Sequence, residues 1–171
     1  MGRRAESFDL NRLRMTAGEA RRLELEVAVD ALSLGADSYR VGPEPLVVRL
    51  EVARTTNGYA LRLRFSATVS GPCMRCLGPA TPGFEVDVYE VWQPQDGEQL
   101  DSPYLDAGVL DLGAWTRDAL VLSLPAAIIC RDECAGLCAV CGADLASAGP
   151  DHAHAASPDP RWAKLAELRL G

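Results

Sequence analysis

Leu46-Val-Val-Arg-Leu-Glu-Val-Ala-Arg-Thr55-Thr-Asn-Gly-Tyr59-Ala-Leu-Arg-Leu-Arg-Phe-Ser-Ala-Thr-Val69 is the stretch on which the fold turns. Apolar and polar residues alternate on both sides of Asn57-Gly58, the strongest short hairpin signal. A two-residue turn there makes opposing positions sum to 115. Val52 is then expected to face Leu63, Leu50 to face Phe65, Val48 to face Ala67 and Leu46 to face Val69. All eight are apolar and share one face. On the other face Glu51 is expected opposite Arg64, with Arg49 and Arg62 beside them. That face reads as a solvated sheet surface, and it is the one side of the chain basic enough to touch RNA.

Working outward, Leu23, Leu25, Val27 and Val29 alternate within Arg21–Asp30 and predict a half-buried strand. Gly42-Pro43-Glu44-Pro45 is a break. Phe84, Val86 and Val88 predict another strand, with Trp92 at its end. Residues 93–109 are rich in Pro, Gly, Asp and Gln and read as a loop. Asp111–Leu124 reads as a helix, with Leu112, Trp115, Ala119 and Leu122 at helical spacing and Pro125 as its stop. Trp115 is expected in the core. Ala126–Ile129 is a short apolar run, and Gly149–Ser157 a polar loop. Asp159-Pro160 reads as an N-cap and first helical residue, opening a short final helix with Trp162, Leu165, Ala166 and Arg169 on neighbouring turns.

The expected fold class is therefore α+β. It has an antiparallel β-rich N-terminal part, one central helix, a zinc-ribbon-like cysteine cluster and a short final helix. Two regions follow: 1–92, β-rich, and 93–171, carrying the helix and the clustered ligands, together forming one cooperative unit. At 171 residues and 48% hydrophobic content the chain can bury a real core. No apolar run approaches the ~20 residues needed to cross a bilayer. Met1-Gly-Arg-Arg-Ala-Glu-Ser is charged rather than an apolar leader, so a cytoplasmic location is expected.

All six cysteines and both histidines fall in tight clusters. Cys73 and Cys76 form C-x2-C. Cys130, Cys134, Cys138 and Cys141 form C-x3-C-x3-C-x2-C. His152 and His154 follow as H-x-H. Thiolates and neutral imidazoles suit Zn2+, and eight ligands divide into two tetrahedral sites. The simplest pairing places Cys73 and Cys76 with Cys138 and Cys141, leaving Cys130, Cys134, His152 and His154 for a second ion. Other partitions remain open on sequence alone. Disulfides fit poorly with a cytosolic chain. A redox dithiol would sit in a βαβ setting, which is not the setting of Cys73. Fe–S ligation is compatible with the thiols, but the paired histidines favour zinc. A catalytic zinc would need an open position, and neither the deaminase H-x-E with P-C-x2-C nor H-E-x-x-H is present. No enzymatic activity is expected, and no small-molecule substrate.

The net charge of −7 is uneven. Residues 1–80 hold 12 Lys and Arg against 9 Asp and Glu, whereas residues 81–171 hold 5 against 15. The C-terminal half is a poor surface for nucleic acid and a better one for a basic protein.

One order of motifs is distinctive: Cys73-Met-Arg-Cys-Leu77, then Leu122-Ser-Leu-Pro125, then Cys130-Arg-Asp-Glu-Cys134-Ala-Gly-Leu-Cys138-Ala-Val-Cys141-Gly-Ala-Asp-Leu145, closing on Asp159-Pro-Arg-Trp-Ala-Lys-Leu165. With the opening Phe8-Asp-Leu-Asn, this resembles the bacterial YceD family, the large ribosomal RNA subunit accumulation proteins. The resemblance implies a non-catalytic part in accumulation of 23S rRNA and in large-subunit biogenesis. The partner it implies is a pre-50S particle, a ribosomal protein or 23S rRNA itself. Many members carry Cys-x-Cys where this chain has His152-x-His154, which implies metal binding at those positions. A zinc-ribbon adaptor or metal-handling protein is the alternative reading.

Overall fold

The structure is a computed structural model, and it describes residues 6–93, 102–154 and 161. Ten strands and two helices follow in order: β1 (Ser7–Asp9), β2 (Ala20–Val27), β3 (Leu32–Leu34), β4 (Asp37–Gly42), β5 (Leu46–Arg54), β6 (Tyr59–Pro72), β7 (Pro79–Ala80), β8 (Gly83–Trp92), β9 (Leu105–Asp106), β10 (Val109–Asp111), α1 (Leu112–Ser123) and α2 (Leu145–Ala148). A 3-10 turn, Leu10–Leu13, follows β1. All pairings are antiparallel. The α+β expectation thus holds only in part, because the protein is mostly antiparallel β with one main helix. The expected final helix lies outside the described residues.

The 14-residue β6 is the centre of the large sheet. Its first half pairs with β5 on one edge, and Thr68–Ser70 pair with β4 on that same edge. On the opposite edge Tyr59–Thr68 pair with β8, and Gly71-Pro72 pair with β7. β2 extends the sheet beyond β5, and β3 beyond β4. A second, small sheet joins β1, β10 and β9.

The hairpin at Asn57-Gly58 exists, but its register differs from the expected one. Arg54 pairs with Tyr59, Val52 with Leu61 and Leu50 with Leu63, so opposing positions sum to 113. Neither Asn57 nor Gly58 has the positive φ that a two-residue type I′ turn requires. A four-residue loop forms instead: the Thr55 amide donates to the Gly58 carbonyl at 3.0 Å, and the Gly58 amide to Thr55 Oγ1 at 2.9 Å. The glycine serves another purpose. A Cβ at Gly58 would collide with the Trp92 carbonyl, because the end of β8 lies directly against it. Since the slip is by two residues, the apolar face is unchanged. Val48, Leu50, Val52, Leu61, Leu63, Phe65, Ala67 and Val69 are all buried.

Helix α1 lies where its sequence places it. Asp111 caps its first turn by accepting from the Ala114 amide at 2.9 Å, and the helix stops just before Leu124 and Pro125. Leu112, Trp115, Thr116, Ala119 and Leu120 are buried against the sheet. Leu122, expected on that face, is 83% exposed; Leu120 and Thr116 occupy the buried stripe instead. Of the expected 93–109 loop, residues 94–101 lie outside the described residues, and 102–109 are not a plain loop. Leu105 and Leu110 are buried in the β9–β10 hairpin, and β1 pairs with β10 as Phe8 faces Leu110. No helix among the described residues is long and apolar enough to cross a membrane.

The outward face of the sheet is a ladder of ion pairs. Arg49 pairs with Glu24 at 3.3 Å, Arg22 with Glu51 at 3.0 Å, and Arg62 with Asp87 at 2.6 Å. Arg64 also bonds Glu51, reaching it diagonally because Arg62 is the residue directly opposite. Arg62 further stacks over Tyr89 at 4.8 Å. Each arginine of the expected RNA side is therefore paired with a neighbouring carboxylate, Glu51 being shared between Arg64 and Arg22.

Candidate metal centre

Two clusters of four ligands form, and their membership corrects the simplest pairing. Cys73, Cys76, Cys130 and Cys134 make one; Cys138, Cys141, His152 and His154 make the other. In each, the ligand atoms lie within 4.8 Å of one another. The reason is local docking. The Met74 amide donates to the Ile128 carbonyl at 2.8 Å, and Arg75 Nη1 to the Cys134 carbonyl at 3.2 Å. These bonds hold the β6–β7 turn against the segment that follows α1. Cys130 and Cys134 therefore reach Cys73 and Cys76 before the chain arrives at Cys138.

Both C-x2-C turns are built alike. The Cys73 amide donates to the Gly78 carbonyl at 2.7 Å, and the Cys138 amide to the Ala143 carbonyl at 2.8 Å. The Leu77 amide donates back to the Cys73 carbonyl at 2.9 Å, as Gly142 does to Cys138 at 2.8 Å. In both, the residue after the second cysteine is left-handed: Leu77 at φ 60° and Gly142 at φ 72°. This geometry aims two sulfurs at one point while the amides inside the turn face them. The Arg75 amide, for example, lies 3.4 Å from Cys73 Sγ.

The inner cluster sits against the core. Cys73 and Cys134 are buried, and Cys76 and Cys130 partly so. Burial pushes the Cys73 thiol up, but amide donation from Cys76, Arg75 and Cys130 outweighs it and brings the group down to about 6. Burial, and then hydrogen bonding to Cys134, Cys76 and Cys73, pushes Cys130 up to about 12. Four crowded thiols thus share protons, and a cation among them is what would let all of them ionise. In the outer cluster, amide donation from Cys141 and then the His152 hydrogen bond bring Cys138 down to about 6.

The spacings fit a tetrahedral ion. Thiolates about 2.3 Å from zinc have sulfur–sulfur edges of about 3.8 Å, and imidazoles about 2.0–2.1 Å away have nitrogen–nitrogen edges of about 3.3–3.4 Å. The Sγ atoms of Cys73 and Cys134 are 3.8 Å apart, as are those of Cys76 and Cys130. A disulfide would need about 2.05 Å. The Nε2 atoms of His152 and His154 are 3.1 Å apart, and Cys141 Sγ lies 3.5 Å from His152 Nε2. If all four side chains of a cluster bound one ion, they would complete a tetrahedral coordination.

The eight clustered residues carry a signal in the sequence, whereas the bonds that hold the clusters to the fold do not. The Met74–Ile128 and Leu137–Arg75 backbone bonds involve ordinary residues that carry no chemical signal of their own.

Residues 61–169 match the family described as large ribosomal RNA subunit accumulation protein YceD. Among curated proteins, the chain is similar to an uncharacterized protein of Mycobacterium tuberculosis, 34% identical over 125 residues, which covers 70% of this chain and 59% of the relative. An uncharacterized protein of Mycobacterium bovis matches with the same figures. One of Mycobacterium leprae is 28% identical over 130 residues, covering 72% of this chain and 59% of the relative. The match therefore spans 59% of the length of these relatives. No solved structure matches. The family match covers well over half of the residues, ligand clusters included, and the chain belongs to the YceD family of large ribosomal RNA subunit accumulation proteins.

Proposed function

We propose that this chain is a non-catalytic ribosome-biogenesis factor that promotes accumulation of 23S rRNA and of the large ribosomal subunit in the cytoplasm, and that two zinc ions hold its fold. Membership of a family described by large-subunit RNA accumulation is the observation that carries the reading. Two sets of four Cys and His side chains, each gathered within 4.8 Å and with inner sulfur pairs 3.8 Å apart, support structural zinc rather than a reactive metal. The direct partner is a protein or a protein-containing pre-50S particle rather than bare RNA. Two features support this. The sheet arginines are already paired with carboxylates, and residues 102–154 hold seven carboxylates against two arginines. The sheet arginines would have to give up these carboxylates before they could neutralise a phosphate backbone.

Depletion of the protein in growing cells, followed by gradient sedimentation, tests the role. The expected outcome is a fall in 23S rRNA and in 50S particles relative to 30S, with the tagged protein co-sedimenting with pre-50S material. An unchanged subunit ratio and no ribosomal association would leave the metal-handling adaptor as the better reading.

A further inference from the structure

The two clusters are built to very different depths. Inner ligands come from segments far apart along the chain, with Cys73 meeting Cys134 61 positions away and Cys76 meeting Cys130 54 positions away. Cys73 and Cys134 belong to the hydrophobic core, and Cys76 and Cys130 pack against it. Parting these ligands means pulling the β6–β7 turn off the 128–134 segment. Outer ligands, by contrast, all lie within residues 138–154. Among the described residues, none beyond Cys134 belongs to the core or packs on it. Cys141 and His154 are exposed. What shapes this module is short-range: the Leu137–Asp144 bridge, the Leu145 amide on the Gly136 carbonyl at 3.0 Å, and the His152 amide on the Gly149 carbonyl at 3.3 Å. Among the described residues, it is tied to the body by the Leu137 amide on the Arg75 carbonyl at 3.1 Å, with Gly136 close beside Arg75.

Resting on the zinc reading above, we propose that the outer cluster is an exchangeable zinc site, able to release and recapture its ion while the protein stays folded, and that the inner cluster keeps its ion for as long as the sheet persists. Opening free energies within one protein range from near zero at local, solvent-facing elements up to the global value in the core. A competing chelator reaches exposed Cys141 and His154 without any of the core opening. At the inner cluster it meets partly buried Cys76 and Cys130 from the surface, but it reaches Cys73 and Cys134 only after the core has parted. Ligand type acts in the same direction. Four thiolates are the softer donor set for zinc, while two of the outer ligands are imidazoles. The chain therefore has a folded one-zinc state as well as a two-zinc state, and zinc supply selects between them.

The test uses the full chain loaded to two equivalents of zinc, verified by native mass spectrometry. It is challenged with excess 4-(2-pyridylazo)resorcinol while circular dichroism is followed. The expected result is two phases. One equivalent leaves at least about tenfold faster than the other, with the β-sheet signal unchanged after the first phase. The His152→Ala/His154→Ala double variant is expected to fold, to hold one equivalent and to lack the fast phase. Release of both equivalents in one phase overturns the proposal, as does loss of the sheet signal with the first ion. So does a fast phase that survives in the double variant, or a parent that holds only one ion. A parent that takes up no zinc at all refutes the zinc reading itself, which is a separate failure.

Discussion

Leu77 and Gly142 occupy the same position in two like turns, yet only one of them is a glycine. An L side chain in the left-handed region costs about 1–2 kcal/mol, and glycine avoids most of that cost. Leu77 stands at φ 60° with its side chain 66% exposed, so burial offsets little of the strain. Leu77→Gly is therefore expected to stabilise the zinc-loaded protein by about 0.5–1 kcal/mol, after allowing for the greater freedom of glycine in the unfolded chain. Gly142→Ala is expected to do the reverse by about 1 kcal/mol; no atom of the described residues lies within 4 Å of the added methyl, so the loss is conformational. Thermal unfolding of both variants checks this, and a lower melting temperature for Leu77→Gly would show that the leucine contributes packing its exposure hides. The eight ligands were legible in the sequence because cysteine and histidine occur nowhere else in it. Their partition was not. Spacing treats Cys138 and Cys141 as equally good partners for Cys73, and the Met74–Ile128 and Arg75–Cys134 bonds decide against them.

Among the elements, the β5–β6 hairpin shows how a sound signal can lead to a wrong register. Alternation located both strands and the buried face, since a period of two survives a slip of two. Asn57-Gly58 was read as turn chemistry, whereas Gly58 makes room for the Trp92 carbonyl on β8, a contact no local pattern displays. A two-residue turn would make Asn57 as sensitive as Gly58. In the observed loop, Gly58→Ala is expected to cost about 1–3 kcal/mol, as overpacking does, and Asn57→Ala less than about 0.5 kcal/mol. Equal losses in chemical denaturation would restore the two-residue turn. Strands β3, β4, β9 and β10 escaped the pattern because they are short, and turn-forming residues such as Gly35 and Gly108 interrupt their apolar positions. The outer face makes its own prediction about pH. The Arg62 hydrogen bond holds Asp87 below the usual carboxylate range. Burial raises Glu51, but the hydrogen bond and charge of Arg64, with those of Arg22, outweigh it and the net shift is downward. Folded-state values below the unfolded ones mean stability that is complete above the unfolded carboxylate range and lost as pH falls through the depressed values. The melting temperature of the parent is thus expected to exceed that of Asp87→Asn near neutral pH, with the gap closing in acid. A gap independent of pH would assign the difference to something other than this pair.

At the scale of the whole molecule, the inner cluster fastens the sheet to the segment after α1. Helix α1 is already seated on the sheet through Trp115 and Leu120, but the stretch from Pro125 to Cys134 adds mainly Ile128 to the core. Without a metal, four crowded thiols and few apolar contacts would hold that stretch against the β6–β7 turn. Structural zinc contributes about 10–16 kcal/mol in small modules, which is comparable to the total stability of about 5–15 kcal/mol of an ordinary domain. Cys134→Ser removes a buried sulfur from the centre of this joint. The variant is expected to hold at most one zinc ion and to lose cooperative unfolding, or to melt far below the parent. Arg49→Ala serves as the control. Its pair with Glu24 is exposed at 3.3 Å, and such pairs are worth about 0–1 kcal/mol. Zinc stoichiometry and melting curves of the two variants beside the parent decide the matter. If Cys134→Ser melts with Arg49→Ala, the inner cluster only decorates a fold that stands without it, and the core alone holds the segment after α1 to the sheet.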